Sequence, residues 1–200
     1  NILRNLPQKV RKIVPVEVDD DKTREDLHDL LVEVRTAEER ALRKKQQKMY
    51  MQGRGPPPTP LPMQFGQNDD ENKDDDDVDA TQVRASALMK LFVKSGNAKV
   101  PAILRHLHEF LQSGSSGKVL IFGHHKTVLA GLSDYLEGQG QDYIRIDGRT
   151  PSAERATLIT RFQQNPKVRV AVLAITAAGM GITLTAASTV YFAEMFWTPG

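Results

Sequence analysis

The chain of 200 residues contains two short polar loops whose residue types suit phosphate binding. Gly123-His124-His125-Lys126 supplies two imidazoles and one cation at a predicted helix start, where backbone N–H groups and the helix dipole also favour anions. Asp147-Gly148-Arg149-Thr150 is a tight turn before another helix, and Arg149 and the Thr150 hydroxyl are candidates to hold a backbone phosphate. Each loop could equally have an ordinary structural role, as a helix cap or as an Asp-Gly turn.

A third segment, from Ala174 to Thr183, combines small residues with glycines and hydroxyl groups. Gly179 and Gly181 allow the backbone to approach a ligand, and the hydroxyls of Thr176 and Thr183 can donate to phosphate or ribose. A Gly-x-Gly pair is equally typical of tight packing. The further glycine and the acidic residue of a dinucleotide fingerprint are missing.

The sequence lacks the residues that handle a triphosphate and its metal ion. It contains no Gly-x-x-x-x-Gly-Lys-Ser/Thr phosphate loop, and no pair of carboxylates at a plausible strand end suits Mg²⁺. We therefore predict no catalytic residue and no metal ligand in this chain. A nucleotide contacted here would need its phosphates and metal to be held elsewhere.

The hydrophobic pattern places these loops at the ends of strands. Strands alternate with helices, and the crossovers are long enough for parallel pairing, which predicts a three-layer, doubly wound α/β domain. In such sheets ligands bind beyond the carboxyl ends of the strands. The predicted strands are Val119–Phe122, Tyr143–Ile146, Val168–Leu173 and Thr189–Phe192, and Thr150 is predicted to cap the helix that Pro151 opens.

The first half of the chain is predicted to be mostly helical. Alternation over Ile13–Val18 predicts an edge strand, and residues 22–50 predict a helix capped by Thr23. A second helix is expected to stop at Gly96, and a third to carry Pro101 in its first turn.

Charge divides the chain unevenly. Residues 67–79 carry eight acidic groups against one lysine, after a Pro-rich run, and we expect disorder over 53–80. This insert is either an electrostatic decoy over a DNA surface or a solvated appendage. The other residues count 26 basic against 17 acidic, which favours a polyanionic partner. The absence of cysteine excludes disulfides and cysteine-ligated zinc, and no apolar run predicts a membrane partner.

From about Gly117 onward the sequence resembles the second, RecA-like ATPase lobe of Swi/Snf-type DNA translocases, within superfamily 2 of helicases. The nearest branch is the annealing, HepA-related fork-remodelling helicases, since Thr176 stands where most Swi/Snf-type motors, but not this branch, carry arginine. Two departures are Ala174, where a small hydroxyl residue is usual, and Thr198, where asparagine is usual. The matching segments are Val119–Lys126, Ile144–Gly148, Ser152–Arg155, Phe162–Gln163, Ile175–Thr183 and Phe192–Gly200, and Leu6–Arg11 resembles the segment between the lobes.

The resemblance implies a motor in which ATP binds between two lobes that step along duplex or forked DNA. ATP and Mg²⁺ would be held mainly by the first lobe, and the arginine-finger helix would begin just after Gly200. The 200 residues alone are thus expected to be inactive. The residues implied to face DNA are His124, His125, Lys126, Gly148, Arg149, Thr150, Ile175 and Thr176, and those implied to face the nucleotide are Gly179, Gly181 and Thr183.

We divide the chain into an inter-lobe segment and edge strand at 1–21, a helical insertion at 22–52, the Pro-rich and acidic linker at 53–80, and a truncated helicase lobe at 81–200. Implied partners are the first lobe and, through other regions, single-strand-binding or replication-clamp proteins. The implied location is the nucleus. Two alternatives remain open: an RNA helicase lobe of the same superfamily, and a non-motor α/β nucleotide-binding module.

Overall fold

The computed structural model describes residues 9–57, 80–114, 116–178 and 181–195. In these parts, helices cover both faces of a four-stranded sheet, which confirms the predicted α/β class. No described helix is long and apolar enough to cross a membrane. The elements are α1 (Asp21–Met51), α2 (Ala80–Gln112), β1 (Lys118–Gly123), α3 (Lys126–Gly138), β2 (Tyr143–Ile146), α4 (Ser152–Gln164), β3 (Val170–Ala174), α5 (Ile175–Ala178) and β4 (Ala187–Phe192).

The sheet has the strand order β2-β3-β1-β4, and every neighbouring pair is parallel. The register aligns the carboxyl ends of the strands: Gly123 of β1 pairs with Ala174 of β3, and Ile146 of β2 pairs with Leu173. Phe122 pairs with Phe192, the last residue of β4. The loops that follow the four strands therefore emerge at one edge of the sheet, which we call the rim.

Two apolar clusters lie on opposite faces of the sheet. One packs α2 and α3 against β1 and β3, with Leu107, Ile121 and Leu132 fully buried at its centre. The other packs α4 through Phe162 against Leu173 and its neighbours. Burial of both faces explains why the central strands β1 and β3 read as continuous apolar runs without alternation.

Cations cap two helices at the edge of the sheet opposite the rim. The buried ammonium of Lys118 donates to the carbonyls of Phe162 and Asn165 at the end of α4. Arg169 donates through Nη1 to the carbonyl of Leu111, in the last turn of α2, at 3.1 Å. Positive charge near helix carboxyl ends is favourable, and these contacts fix the last turns of α2 and α4 at this edge.

Helix α2 runs without interruption where the sequence predicted two helices. The prediction that a helix stops at Gly96 is wrong, because Gly96 is buried where α2 meets the loop after β1, and packing there outweighs its low helix propensity. Pro101 also lies inside α2 instead of in a first turn. Contacts with α1 and α3 pack the continuous helix against the rest of the domain.

Three smaller predictions are also wrong. Residues 9–20 contain no strand, and Ile13 is 94% exposed, because alternation without a partner strand buries nothing. Asp20, not Thr23, caps α1 and accepts from the backbone N–H of Thr23 at 2.7 Å. Pro151 occupies the cap position of α4 because the Thr150 hydroxyl accepts from the backbone N–H of Asp147.

Helices α1 and α2 form an antiparallel hairpin. Ion pairs join Asp19 to Arg105, Asp26 to Lys94, and Glu38 to Arg84, so residues further along α1 face residues nearer the start of α2. The linker predicted for 53–80 falls mostly on residues 58–79, which lie outside the described residues, as do Leu6-Pro7-Gln8 and Phe196–Gly200.

Candidate functional site

The rim brings together loops from every strand of the sheet. Lys126 begins α3 after β1, Arg149 lies in the turn after β2, and Thr176 lies in α5 after β3. All three are exposed. The parallel register therefore delivers these three predicted DNA-facing residues to the same edge of the domain.

A buried carboxylate occupies the start of α3. Glu194, two residues after β4, is 2% exposed. Its Oε2 accepts from the backbone N–H groups of His124 at 2.7 Å and of His125 at 2.8 Å, and its Oε1 lies 2.5 Å from Nδ1 of His125. Burial alone would raise the pKa of Glu194, but the hydrogen bonds from the side chain and backbone of His125 and from the backbone of His124 hold the pKa below its usual range.

This carboxylate changes how the loop after β1 can meet a phosphate. The sequence predicts that backbone N–H groups there receive an external anion, whereas Glu194 already accepts from two of them. The imidazole of His125, 14% exposed, faces the same carboxylate. The exposed cation left at this position is Lys126.

Helix α2 closes the other side of the carboxylate. The Phe92 ring contacts the imidazole of His125, with centroids 4.7 Å apart, and that of His124 at 5.6 Å. A Cβ atom added to Gly96 would lie 2.3 Å from Oε1 of Glu194. Asn97 accepts a hydrogen bond from the Thr127 hydroxyl at 2.6 Å. Gly96 is thus the residue that allows α2 to pass this close to the start of α3.

A second buried carboxylate organises the turn after β2. Asp147 accepts through Oδ1 from the backbone N–H of Arg149 at 2.9 Å, and its Oδ2 pairs with Arg145 at 2.9 Å. Burial would raise the pKa of Asp147, but the Arg149 N–H and the Arg145 and Arg149 guanidinium groups hold it below its usual range. Arg155 donates to the carbonyls of Thr150 and Asp147, which fixes the turn from the α4 side.

The two arginines of this network differ in what else they can reach. Arg145 is 23% exposed and also donates to the Ser133 hydroxyl at 3.2 Å. The side chain of Arg149 is 73% exposed, and its guanidinium contacts Asp147 only at 3.4 Å. Gly148 beside it is exposed as well. A polar groove of about 410 Å³ runs from this turn toward Tyr143, and Arg149 is one of the residues that line it.

The loop between β3 and β4 is described in two parts. Ile175 is half-buried and Thr176 exposed within the short helix α5. Gly181 adopts φ +76°, a conformation that favours glycine, and Gly181 and Thr183 are both exposed. Gly179 lies outside the described residues.

The rim carboxylates do not fit a Mg²⁺ site. Asp147 and Glu194 are each committed to cations and N–H donors, so neither offers the free oxygens that Mg²⁺ requires. Among the residues that the structure describes, no group of three or more His, Asp or Glu side chains is placed to hold a metal ion.

Sequence reasoning missed two residues of this region, Glu194 and Gly96. A signal for Glu194 exists, because an acidic residue closely follows the last predicted strand and so lies at the rim. Its partners are about 70 residues away, however, and no local spacing relates them. The sequence signal at Gly96 is misleading, since a glycine within a helical pattern predicts the end of the helix.

Comparison with known proteins yields a family and several relatives. The model of the helicase conserved C-terminal domain matches residues 99–200. The SWI/SNF-related matrix-associated actin-dependent regulator of chromatin subfamily A-like protein 1 of Xenopus tropicalis is 46% identical over 114 residues, 57% of this chain and 12% of that protein. The DNA annealing helicase and endonuclease ZRANB3 of Bos taurus is 40% identical over 121 residues, 60% of this chain and 11% of that protein.

Among solved structures, the Sulfolobus solfataricus SWI2/SNF2 ATPase C-terminal domain matches with a TM-score of 0.51 and 22% identity, covering 60% of this chain and 58% of that one. This likeness supports the RecA-like fold. The family match favours a helicase lobe over a non-motor α/β module. With the match extending over half of its residues, the chain belongs to the family of the helicase conserved C-terminal domain.

Proposed function

We propose that this chain is the second motor lobe of an ATP-dependent DNA translocase of the annealing-helicase type. The observation that carries the proposal is the shared rim, where Lys126, Arg149 and Thr176 follow aligned strand ends in a helicase-family domain. The similarity to ZRANB3, which is named a DNA annealing helicase, favours DNA over RNA as the track.

In this proposal, exposed side chains of the rim hold the phosphates of duplex or forked DNA. Lys126, Arg149 and the Thr150 hydroxyl make the contacts, and Gly148, Ile175 and Thr176 shape the surface beside them. His124 and His125 act through the loop that Glu194 holds. Contacts to phosphate ignore base identity, which suits a motor that must step along any sequence.

The nucleotide would meet the loop between β3 and β4, through Gly179, Gly181 and Thr183. In this proposal ATP and Mg²⁺ are held mainly by the first lobe, and the engagement of both rim carboxylates supports that assignment. The 200 residues alone are inactive in this proposal. The protein acts in the nucleus on replication forks and in DNA repair, with single-strand-binding or replication-clamp proteins as partners of regions beyond this lobe.

The test is the ATPase activity of the full-length protein with and without forked duplex DNA. We expect strong stimulation by forked DNA and little by RNA of the same length. Equal turnover with and without DNA would end the proposal, and stronger stimulation by RNA would favour the RNA helicase alternative. Arg149→Gln is the test variant. Arg161→Gln is its matched control, since Arg161 lies at the end of α4 remote from the rim.

A further inference from the structure

Helix α2 crosses the rim and continues beyond it. Its last turn is capped by Arg169 at the opposite edge of the sheet, and at Phe92, Gly96 and Asn97 it contacts the loop after β1. The 12 residues before Phe92 therefore project past the rim, by about 18 Å at 1.5 Å per residue. They extend on the side toward which the candidate DNA-facing loops point.

Helix α1 projects further than α2. The ion pairs Asp26–Lys94 and Glu38–Arg84 set the antiparallel register, in which residue 42 of α1 faces the start of α2. Residues 43–51 thus run past the described beginning of α2 by about 14 Å. This end of α1 lies roughly 20 to 32 Å beyond the rim, counted from residue 30 opposite Phe92.

The projecting part of α1 is cationic. Between residues 40 and 54 there are six basic residues and no acidic one, whereas residues 21–39 hold seven acidic and three basic residues. Arg40, Lys44 and Lys48 recur every four residues and therefore share one face of the helix. Arg40, Lys45, Lys48 and Arg54 are exposed. We call residues 40–54 the cationic arm.

We propose that the cationic arm is a second duplex-DNA contact, which binds the phosphates of DNA flanking the segment on the rim. The placement of DNA at the rim is taken from the proposed function, and this proposal rests on it. From Arg40 to Lys48 the arm covers about 12 Å, a length over which duplex DNA presents roughly seven phosphate charges. The arm contains no carboxylate, so its net charge is positive. A concentrated positive charge attracts a polyanion.

The first experiment measures duplex-DNA affinity of the full-length protein across salt concentrations, without ATP. The test variant is Arg40→Gln with Lys48→Gln. The matched control is Arg161→Gln with Lys167→Gln, which removes one exposed arginine and one exposed lysine at the far end of the sheet. We expect the arm variant to bind about tenfold more weakly at low salt, and its slope of log affinity against log salt to flatten by about 1.8. The control should keep the wild-type slope.

Photo-crosslinking shows which residues lie next to DNA and complements the affinity measurement. A photo-crosslinking residue at Gln47, on the same helix face as Arg40 and Lys44, should crosslink to duplex DNA, and one at Lys167 should not. An arm variant that binds with unchanged affinity and slope overturns the proposal, as does crosslinking of Gln47 only to protein. If the arm variant weakens binding but DNA fails to stimulate the wild-type ATPase, the motor function is wrong and the arm contact stands.

Discussion

Gly96 of α2 and the carboxylate of Glu194 lie so close that no side chain fits between them. A Cβ atom at residue 96 would come within 2.3 Å of Oε1 and 3.2 Å of the carboxyl carbon. The carboxylate cannot retreat without losing its hydrogen bonds to the start of α3. This contact joins the helical hairpin to the rim.

Gly96→Ala should therefore destabilise the domain even though alanine is the better helix former. Overpacking at such a contact costs about 1–3 kcal/mol, more than the gain of roughly 1 kcal/mol from helix propensity. Chemical denaturation measures the loss. Gly138→Ala in α3 is the control, because a Cβ there meets nothing within 4 Å, and its stability should be unchanged or slightly higher. Equal stability of the two variants would contradict the close contact.

Glu194→Gln should loosen the loop that presents Lys126. An amide cannot accept from two N–H groups and His125 as the carboxylate does, so we expect a loss of about 2–3 kcal/mol in unfolding free energy. Amide hydrogen exchange should quicken at His124 and His125 first. The matched variant is Glu137→Gln, whose exposed carboxylate accepts from the Tyr143 hydroxyl; it should alter stability by less than about 0.5 kcal/mol.

Acid should destabilise the domain through the same carboxylates. The pKa values of Glu194 and Asp147 are lowered by folding from ordinary values of 4.5 and 3.8, so their contribution is complete above those values and is lost as pH falls through the folded pKa of each. Stability measured from pH 6 to pH 3 should fall. Glu194→Gln and Asp147→Asn should each flatten that fall, and an unchanged slope in both would show that other groups cause it.

Substitution of Arg149 should affect mainly DNA binding, whereas substitution of Arg145 should affect mainly stability. Arg149→Ala should weaken duplex-DNA binding severalfold while shifting unfolding free energy by less than about 0.5 kcal/mol, because the side chain is 73% exposed. Arg145→Ala should cost about 2 kcal/mol or more, since it leaves buried Asp147 without its nearest cation. Paired denaturation and binding titrations test both. The reverse ranking of the two stabilities would exclude this assignment.

Substitution of Gly181 should be limited by the backbone conformation of this residue and not by the space available for a side chain. Its φ is +76°, and a Cβ atom at this position would meet open space, so Gly181→Ala costs only conformational strain of about 1–2 kcal/mol, and Gly181→Asn less. Gly148→Ala is the control, since its Cβ also meets nothing within 4 Å and its φ lies outside the positive range. Thermal unfolding of the three variants ranks them, and equal unfolding temperatures would contradict the strain.

The sheet could be predicted because its strands carry their own signal. The prediction matches β2 to the residue and β1 within one residue at each end, since a short apolar run between polar loops is typical of a buried strand. The rim followed from the parallel order alone. The helices of the first half were harder, because Gly96 and Pro101 are locally helix breakers and only tertiary contacts make α2 continuous.

The site was less predictable than the fold. Its exposed cations, Lys126 and Arg149, could be identified from residue type and loop position. The buried partners that decide which groups remain accessible could not be predicted. Glu194 and His125 are distant in sequence and meet only because β4 pairs with β1.

The unbroken course of α2 connects the helical hairpin directly to the rim. Ala80 and Gln112 lie at opposite ends of one helix of 33 residues, and Gly96 is its central residue. The contact of Gly96 with the Glu194 carboxylate therefore links this helix to the N-terminus of α3. A change in the position of α2 at Gly96 would thus act on the loop that presents Lys126.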